Sequence, residues 1–373
     1  MMPMIAISGN ARERGRQYGE AARPQIARSI AFYQEAFVRK SGLAWAQVQE
    51  HAPRWLPLID AYLPEISEEM RGIAEGANRT FAEILALNGR GELSYVNPFL
   101  DASRDGCSSF AITDEGAGDG HVYCGQNWDW RTETLDTVVM VRVEQPGKPT
   151  LIMQTEAGQI GRQGANAAGL ALNANGLGGR FAKQFGIPGP YVRRKILESS
   201  DMHGALQAVF TAEQAFSTNL LLTHRDGMAI DLETTPGRHG WMYPTDGVLV
   251  HTNHFAAFVP EQLAATYRPF SYDTLYRLPR IERTLRRAKA ETTSEGVREV
   301  IATAMRDCFG HPNAVSNHPD ERDDPFERNQ TIASSIVDLT TGDYYVTHGT
   351  PDTSAYEKVP WNLYDGEGLR TED

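Results

Sequence analysis

The spacing of apolar positions divides the chain into two regimes. Through the first hundred residues, apolar side chains recur every three or four positions, as on one face of a helix. Ile26, Ile30, Tyr33 and Phe37 mark such a face in a helical stretch over 11–39, with Pro24 as a break. The same period predicts helices over 45–62, interrupted at Pro53 or Pro57, and over 64–78, where Pro64 suits a first turn. Thr80 followed by Glu83 has the form of a capping box and opens a helix through Leu87. Residues 95–106 lose the period and read as an exposed connection.

Near residue 106 the period shortens to two. Runs at 108–113, 121–128, 137–143 and 150–155 read as short strands parted by Gly, Pro and Asp turns. Further strands are expected at 170–175, 219–223, 229–233 and 248–252. Helices interrupt at 191–199, 204–211, 272–290 (broken at Pro279) and 295–307. Two last strands, 332–339 and 343–347, flank Thr341-Gly342, and the acidic stretch 316–329 reads as a solvated loop. This order predicts an α+β protein of stacked antiparallel sheets behind a helical N-terminal segment. No internal repeat or low-complexity linker divides it.

Composition narrows the function. The chain has 373 residues, 41% hydrophobic and 23% charged, enough for a substantial core. A net charge of −12 argues against nucleic acid as a partner, because phosphates call for clustered Lys and Arg. It also disfavours a polyanionic acyl-CoA donor unless a local basic pocket overrides it. No run approaches the roughly 20 apolar residues of a membrane span. The stretch Met4-Ile5-Ala6-Ile7 is too short for a signal sequence and lacks a basic flank. Three cysteines, Cys107, Cys124 and Cys308, form no Cys-x-x-Cys pair, so a reduced, cytoplasmic protein is expected. Nothing implies a cofactor.

The candidate chemistry sits where the period changes, at Asp105-Gly106-Cys107-Ser108-Ser109-Phe110. Locally, a cysteine opening a strand is ordinarily a small buried hydrophobe. The glycine before it offers a second reading. Gly106 presents an unhindered carbonyl that the Cys107 thiol can attack, severing the chain and freeing an α-amine on Cys107. Such an amine has a pKa of about 7.7–8.0 and serves as a general base beside the thiol. The next β-rich run ends in Gly125-Gln126-Asn127-Trp128-Asp129-Trp130, and a neighbouring strand would place Asp129 beside that amine. A third segment, His251-Thr252-Asn253-His254-Phe255, offers Asn253 as an oxyanion donor. Taken singly, the second is also a strand end with core tryptophans, and the third a turn former.

Together these segments resemble the acyl-CoA:6-aminopenicillanate acyltransferase family of N-terminal-nucleophile hydrolases, and more distantly the conjugated bile acid hydrolases. The likeness runs along nearly the whole chain. It includes Gly15-Arg16-Gln17-Tyr18-Gly19, Thr155-Glu156-Ala157-Gly158, Gly169-Leu170-Ala171-Leu172-Asn173, Asp231-Leu232-Glu233-Thr234 and Thr331-Ile332-Ala333-Ser334. The resemblance implies a four-layer αββα sandwich forming one structural domain and self-cleavage between Gly106 and Cys107. Residues 1–106 would be the α chain and 107–373 the catalytic β chain. Cys107 would be the nucleophile, Asp129 the support of its amine and Asn253 part of the oxyanion hole. Ser109 stands at a family hydroxyl position and Asn173 at a second polar substrate contact. Trp130 and His254 are further supporting or substrate-binding candidates.

One departure stands out. Where the family often shows Cys-Arg-His-Pro, this chain reads Ser316-Asn317-His318-Pro319, so either Arg322 or Arg328 takes over from the arginine, or self-cleavage and substrate preference differ. The implied partners are a small N-acyl substrate, resolved by water or by an amine, and the cleaved N-terminal fragment. No nucleic acid or membrane is expected, and homo-oligomerisation stays open. Trp128, Trp130, Phe110 and Phe255 suit an apolar acyl group, or simply the core. Two rivals remain. One is a non-processing binding protein of the same fold. The other is a metal hydrolase using His251, His254, His311 and His318, although i,i+3 spacing outside a helix does not align two rings and no His-Glu-x-x-His occurs. No metal is expected.

Overall fold

Alternation along the strands decides how the chain stacks. The computed structural model describes residues 2–94, 106–179, 181, 185–269 and 271–365, so most of the expected connection at 95–106 lies outside the described residues. The strands are β1 (Met4–Ser8), β2 (Cys107–Ile112), β3 (Tyr123–Arg131), β4 (Val138–Glu144), β5 (Leu151–Glu156), β6 (Gln163–Asn166) and β7 (Leu170–Gly176). Then come β8 (Thr218–His224), β9 (Met228–Thr234), β10 (Gly240–Met242), β11 (Val248–His251), β12 (Asn329–Asp338), β13 (Asp343–His348) and β14 (Glu357–Lys358). One sheet has the order β1-β4-β5-β6-β7-β8-β9-β10, the other β11-β2-β3-β12-β13-β14.

Odd and even positions of each strand face different layers. Cys107, Ala111, Cys124 and Trp128 of the second sheet meet Val138, Met140, Ile152 and Leu221 of the first in a shared core. The alternate residues of β4 and β5, Val139, Val141, Leu151 and Met153, pack against Ile26, Ile30, Phe37 and Ile73 from the N-terminal helices. On the far side, Phe110, Ile112 and Tyr123 pack against Ile281, Leu285, Val297 and Ile301. The result is helix, sheet, sheet, helix. Each fully buried Ile or Leu contributes about 1.5–3 kcal/mol to holding those layers together.

The expected helices form with small changes at their ends. The first stretch divides at residue 22 into Ala11–Ala21 and Arg23–Ser41. Its glycines serve close packing: a Cβ on Gly15 would fall 1.9 Å from Glu69 O and one on Gly19 2.3 Å from Ile73 O. The Thr80–Glu83 box is present, with Glu83 N–H donating to Thr80 Oγ1 at 3.2 Å and Thr80 N–H to Glu83 Oε2 at 2.8 Å. Pro279 does not break its helix, which runs Thr274–Leu285. Burial of Arg277, Ile281 and Leu285 on one face outweighs the single backbone hydrogen bond a proline removes. The sheets also correct the all-antiparallel expectation, since β1 lies parallel to β4, with Met4 opposite Met140.

Candidate active site

Cys107 is the first residue of β2 and is fully buried, its side chain in the layer between the sheets. Antiparallel pairing sets Cys107 opposite Trp128, which brings Asp129 level with Gly106. The Asp129 N–H donates to Gly106 O at 2.9 Å. The Asp129 side chain lies against the same residue: a Cβ on Gly106 would sit 2.9 Å from Asp129 Oδ2 and 3.1 Å from its Cβ. Only glycine fits there without displacement. Thr331, beside a register shift in β12, donates from Oγ1 to Asp129 Oδ1 at 2.6 Å. A bulge of this kind re-aims a side chain next to a site.

Asn253 follows β11, the other neighbour of β2. Its Oδ1 accepts from the Cys107 N–H at 2.9 Å, and its Nδ2 donates to Gly176 O at 3.0 Å. The carboxamide thus holds the Cys107 nitrogen through its oxygen, where the sequence had suggested an N–H aimed at an oxyanion. The orientation is fixed by a second donor, Arg277 Nη2, at 2.7 Å from Asn253 Oδ1. Arg277 also donates through Nη1 to Cys107 O at 2.7 Å and to Ser108 Oγ at 2.8 Å, and through Nε to Asp273 Oδ2 at 2.5 Å. The guanidinium beside Cys107 is therefore that of Arg277. Arg322 instead pairs with Asp320 at 2.6 Å, and Arg328 donates to Glu321 O at 3.1 Å.

The supporting candidates divide. Ser109 Oγ accepts from Asn175 Nδ2 at 2.8 Å, on the inner face beside Cys107. Asn173 shares that strand face but lies away from Cys107, next to Cys124, whose thiol burial pushes up to about 12 against the Asn173 hydrogen bond. Trp130 donates from Nε1 to Tyr33 Oη at 3.0 Å and lines a cleft. His254 Nδ1 lies 2.9 Å from Thr274 Oγ1, and burial, then His251, lowers it from the ordinary histidine value. The histidines of the metal rival are apart in role: His251 Nε2 meets Glu233 Oε1 at 3.0 Å, while His254 turns to Thr274. Sequence reasoning missed Arg277, Asn175 and the role of Thr331. Thr331 lay in a quoted motif, but nothing marked its partner.

A cleft of about 190 Å³ runs from Trp130 and Arg162 past Gly176 and Leu177 to Glu92 and Arg193. Gly176 links it to Asn253, and Arg162 stacks over Trp128 with its guanidinium carbon 3.9 Å from the ring centroid. Arg162 is 3% exposed, and its Nε has no hydrogen-bond partner among the described residues.

A four-layer sandwich with a Gly–Cys junction at the start of a central strand defines the class of protein that the motifs had suggested. Residues 116–353 match the profile of the acyl-coenzyme A:6-aminopenicillanic acid acyl-transferase family, and the chain belongs to that family. The matched span begins beyond Cys107. Over 252 residues the chain is 32% identical to the acyl-coenzyme A:6-aminopenicillanic-acid-acyltransferase 40 kDa form of Emericella nidulans, covering 67% of this chain and 68% of that protein. Among solved structures it is similar to penicillin V acylase from Agrobacterium tumefaciens (15% identity, TM-score 0.44, 65% of this chain and 83% of that one). It is also similar to a mutant of the conjugated bile acid hydrolase from Clostridium perfringens (12% identity, TM-score 0.43, 69% and 97%). Among the described residues, no helix is long and apolar enough to cross a membrane.

Proposed function

We propose that the protein is a self-processing N-terminal cysteine amidohydrolase or acyltransferase acting on a small N-acyl compound. The observation that supports this most is the hydrogen bond from Asp129 N–H to Gly106 O, at the bond preceding Cys107. A donor there stabilises the charge that builds on that oxygen when Cys107 Sγ attacks the Gly106 carbonyl carbon. The sulfur–carbon bond forms, the Gly106–Cys107 carbon–nitrogen bond breaks, and the thiol proton passes to the departing amine. Water then cleaves the thioester and restores the thiol. Residues 1–106 end in a carboxylate, and 107–373 begin with the Cys107 amine.

The same thiol then serves the substrate. The α-amine, with an ordinary pKa of about 7.7–8.0, takes the thiol proton as sulfur attacks the amide carbonyl and passes it to the leaving amine. Asn253 Oδ1 already accepts from that nitrogen and would hold the amine in place. Asp129, beside it, would stabilise the ammonium form. Water resolves the thioester in hydrolysis, an amine in acyl transfer. Arg162, buried with an unpartnered Nε on the wall of the cleft, suits a substrate that carries an anionic group. Three cysteines, none in a Cys-x-x-Cys pair, suit a reducing, cytoplasmic setting.

Denaturing electrophoresis of purified protein tests the reading. Dividing 41.3 kDa in the ratio 106 to 267 residues predicts pieces of about 12 and about 30 kDa. Cys107→Ala should give one full-length, folded chain without turnover. Full activity from an uncut chain, or wild-type turnover in Cys107→Ala, would overturn it.

A further inference from the structure

The loop between the helix Ser294–Met305 and β12 carries a cluster that the proposed reaction does not use. Cys308 and His318, ten residues apart in this loop, meet Asp352 from the turn after β13. One ligand atom from each lies within 4.8 Å of the others. His318 Nε2 is 3.1 Å from both Asp352 oxygens, and Ser316 Oγ donates to Asp352 Oδ1 at 2.5 Å, which fixes the carboxylate. The His311 ring packs against that of His318, with centroids 4.9 Å apart. From this juxtaposition we infer that Cys308, His318 and Asp352 form a zinc-type divalent cation site.

The donor set selects the ion. Sulfur, imidazole nitrogen and a carboxylate oxygen together suit Zn²⁺ or Co²⁺, whereas Mg²⁺ and Ca²⁺ prefer oxygen alone. Bond lengths of about 2.0–2.3 Å require the three groups to close in on a common centre. The loop ends allow this, because Cys308 is exposed and Asp352 sits on a turn. Water completes the four positions. Binding expels one proton from Cys308 to solvent, leaving the thiolate as ligand.

The cation would pin a long irregular loop to the β13 turn. Next to His318, Asn317 exchanges backbone bonds with Thr331: Asn317 N–H donates to Thr331 Oγ1 and Thr331 N–H to Asn317 O, both at 2.9 Å. Thr331 in turn holds Asp129. The site thus braces the loop from which that chain of contacts starts. It does not depend on the proposed catalysis, and its test reads binding alone.

Full-length protein stripped with chelator and dialysed is titrated with Co²⁺. One equivalent should bind with a near-ultraviolet thiolate-to-cobalt band, and Zn²⁺ should displace it. Cys308→Ser should lose the band and weaken binding at least tenfold. Asp352→Asn should keep the band but weaken binding by a similar factor. Circular dichroism checks that both variants are folded. Failure to bind Co²⁺, uptake without the thiolate band, or an unchanged band in Cys308→Ser would overturn the assignment.

Discussion

Arg277 donates to four acceptors from a fully buried position, joining Asp273, Cys107 O, Ser108 Oγ and Asn253 Oδ1. Its planar fork suits this, since a lysine would carry the charge but could not span the same acceptors. Arg277→Ala leaves Asp273 without its ion pair and removes the donors that orient Asn253. Breaking a buried pair costs about 3–5 kcal/mol, so urea unfolding should show a loss of that size. Processing between Gly106 and Cys107 should slow in both Arg277→Ala and Arg277→Lys, and the lysine variant should recover more stability than cutting. Wild-type cutting in Arg277→Lys would show that the fork does not position the junction. The sequence pointed to Cys107, Asp129 and Asn253 because each stands in a motif at or near the end of a β-rich run. It did not point to Arg277, one of three arginines spaced along its helix, because only burial separates it from Arg280 and Arg283. Asn175 was missed for a related reason: Asn173 and Asn175 share a strand face, and register alone decides which meets Ser109.

Between elements, a buried ionic cluster joins the two sheets near the site. Asp231 and Glu233 stand on β9 of one sheet and His251 on β11 of the other. Glu233 also accepts backbone N–H bonds from Ala257 at 3.1 Å and Ala256 at 2.5 Å, tethering the loop that follows Asn253. Burial raises the Asp231 carboxyl to about 6, against the opposing pull of His251 and the Asn219 hydrogen bond. Burial alone would lower His251, but Asp231 and Glu233 outweigh it and hold the imidazole above its ordinary value. The folded state therefore keeps a proton on Asp231 that the unfolded chain loses from about pH 4 upward. Its contribution to stability is full at low pH and is lost as pH rises towards 6, on the order of 3 kcal/mol. Asp231→Asn should flatten the stability profile across that window, measured by urea unfolding at several pH values. A variant whose profile runs parallel to the wild type would remove Asp231 as the source. Of the strands that build this cluster, the seven-residue β9 was legible by its length, and the four-residue β11 by its apolar run Val248-Leu249-Val250. By contrast, β6, β10 and β14 run for four, three and two residues and are too short to show a period. In β1 the apolar run was visible, but its partner β4 lies far along the chain, and parallel pairing leaves no local turn to read.

At the scale of the molecule, the segments before and after residue 106 share one core, so the proposed cut before Cys107 would leave them together. The N-terminal segment supplies β1, an edge strand of the eight-stranded sheet, and the helices that cover that sheet's outer face. Between the two segments, Glu69 of the N-terminal one pairs with Arg194 at 2.8 Å, both almost wholly buried, while Arg14 of its own segment donates to the same carboxylate at 2.8 Å. Tyr33 Oη donates to Glu156 Oε1 at 2.7 Å, and Trp55 Nε1 to Gly186 O at 3.0 Å. The change of period near residue 106 announced the helical block before it. It could not announce that the block is half of a core, because amphipathic faces do not name the surface they cover. Separating the pieces would expose that apolar face and part the buried Arg194 from Glu69, a cost far above the strength of one peptide-length linker's effect on local concentration. Processed protein should therefore elute as one peak in native gel filtration, with the about 12 and about 30 kDa pieces together in every fraction by denaturing electrophoresis. They should part only at denaturant concentrations where the fold itself is lost. Elution of the smaller piece alone from protein that remains folded would mean that the shared core does not bind the two segments.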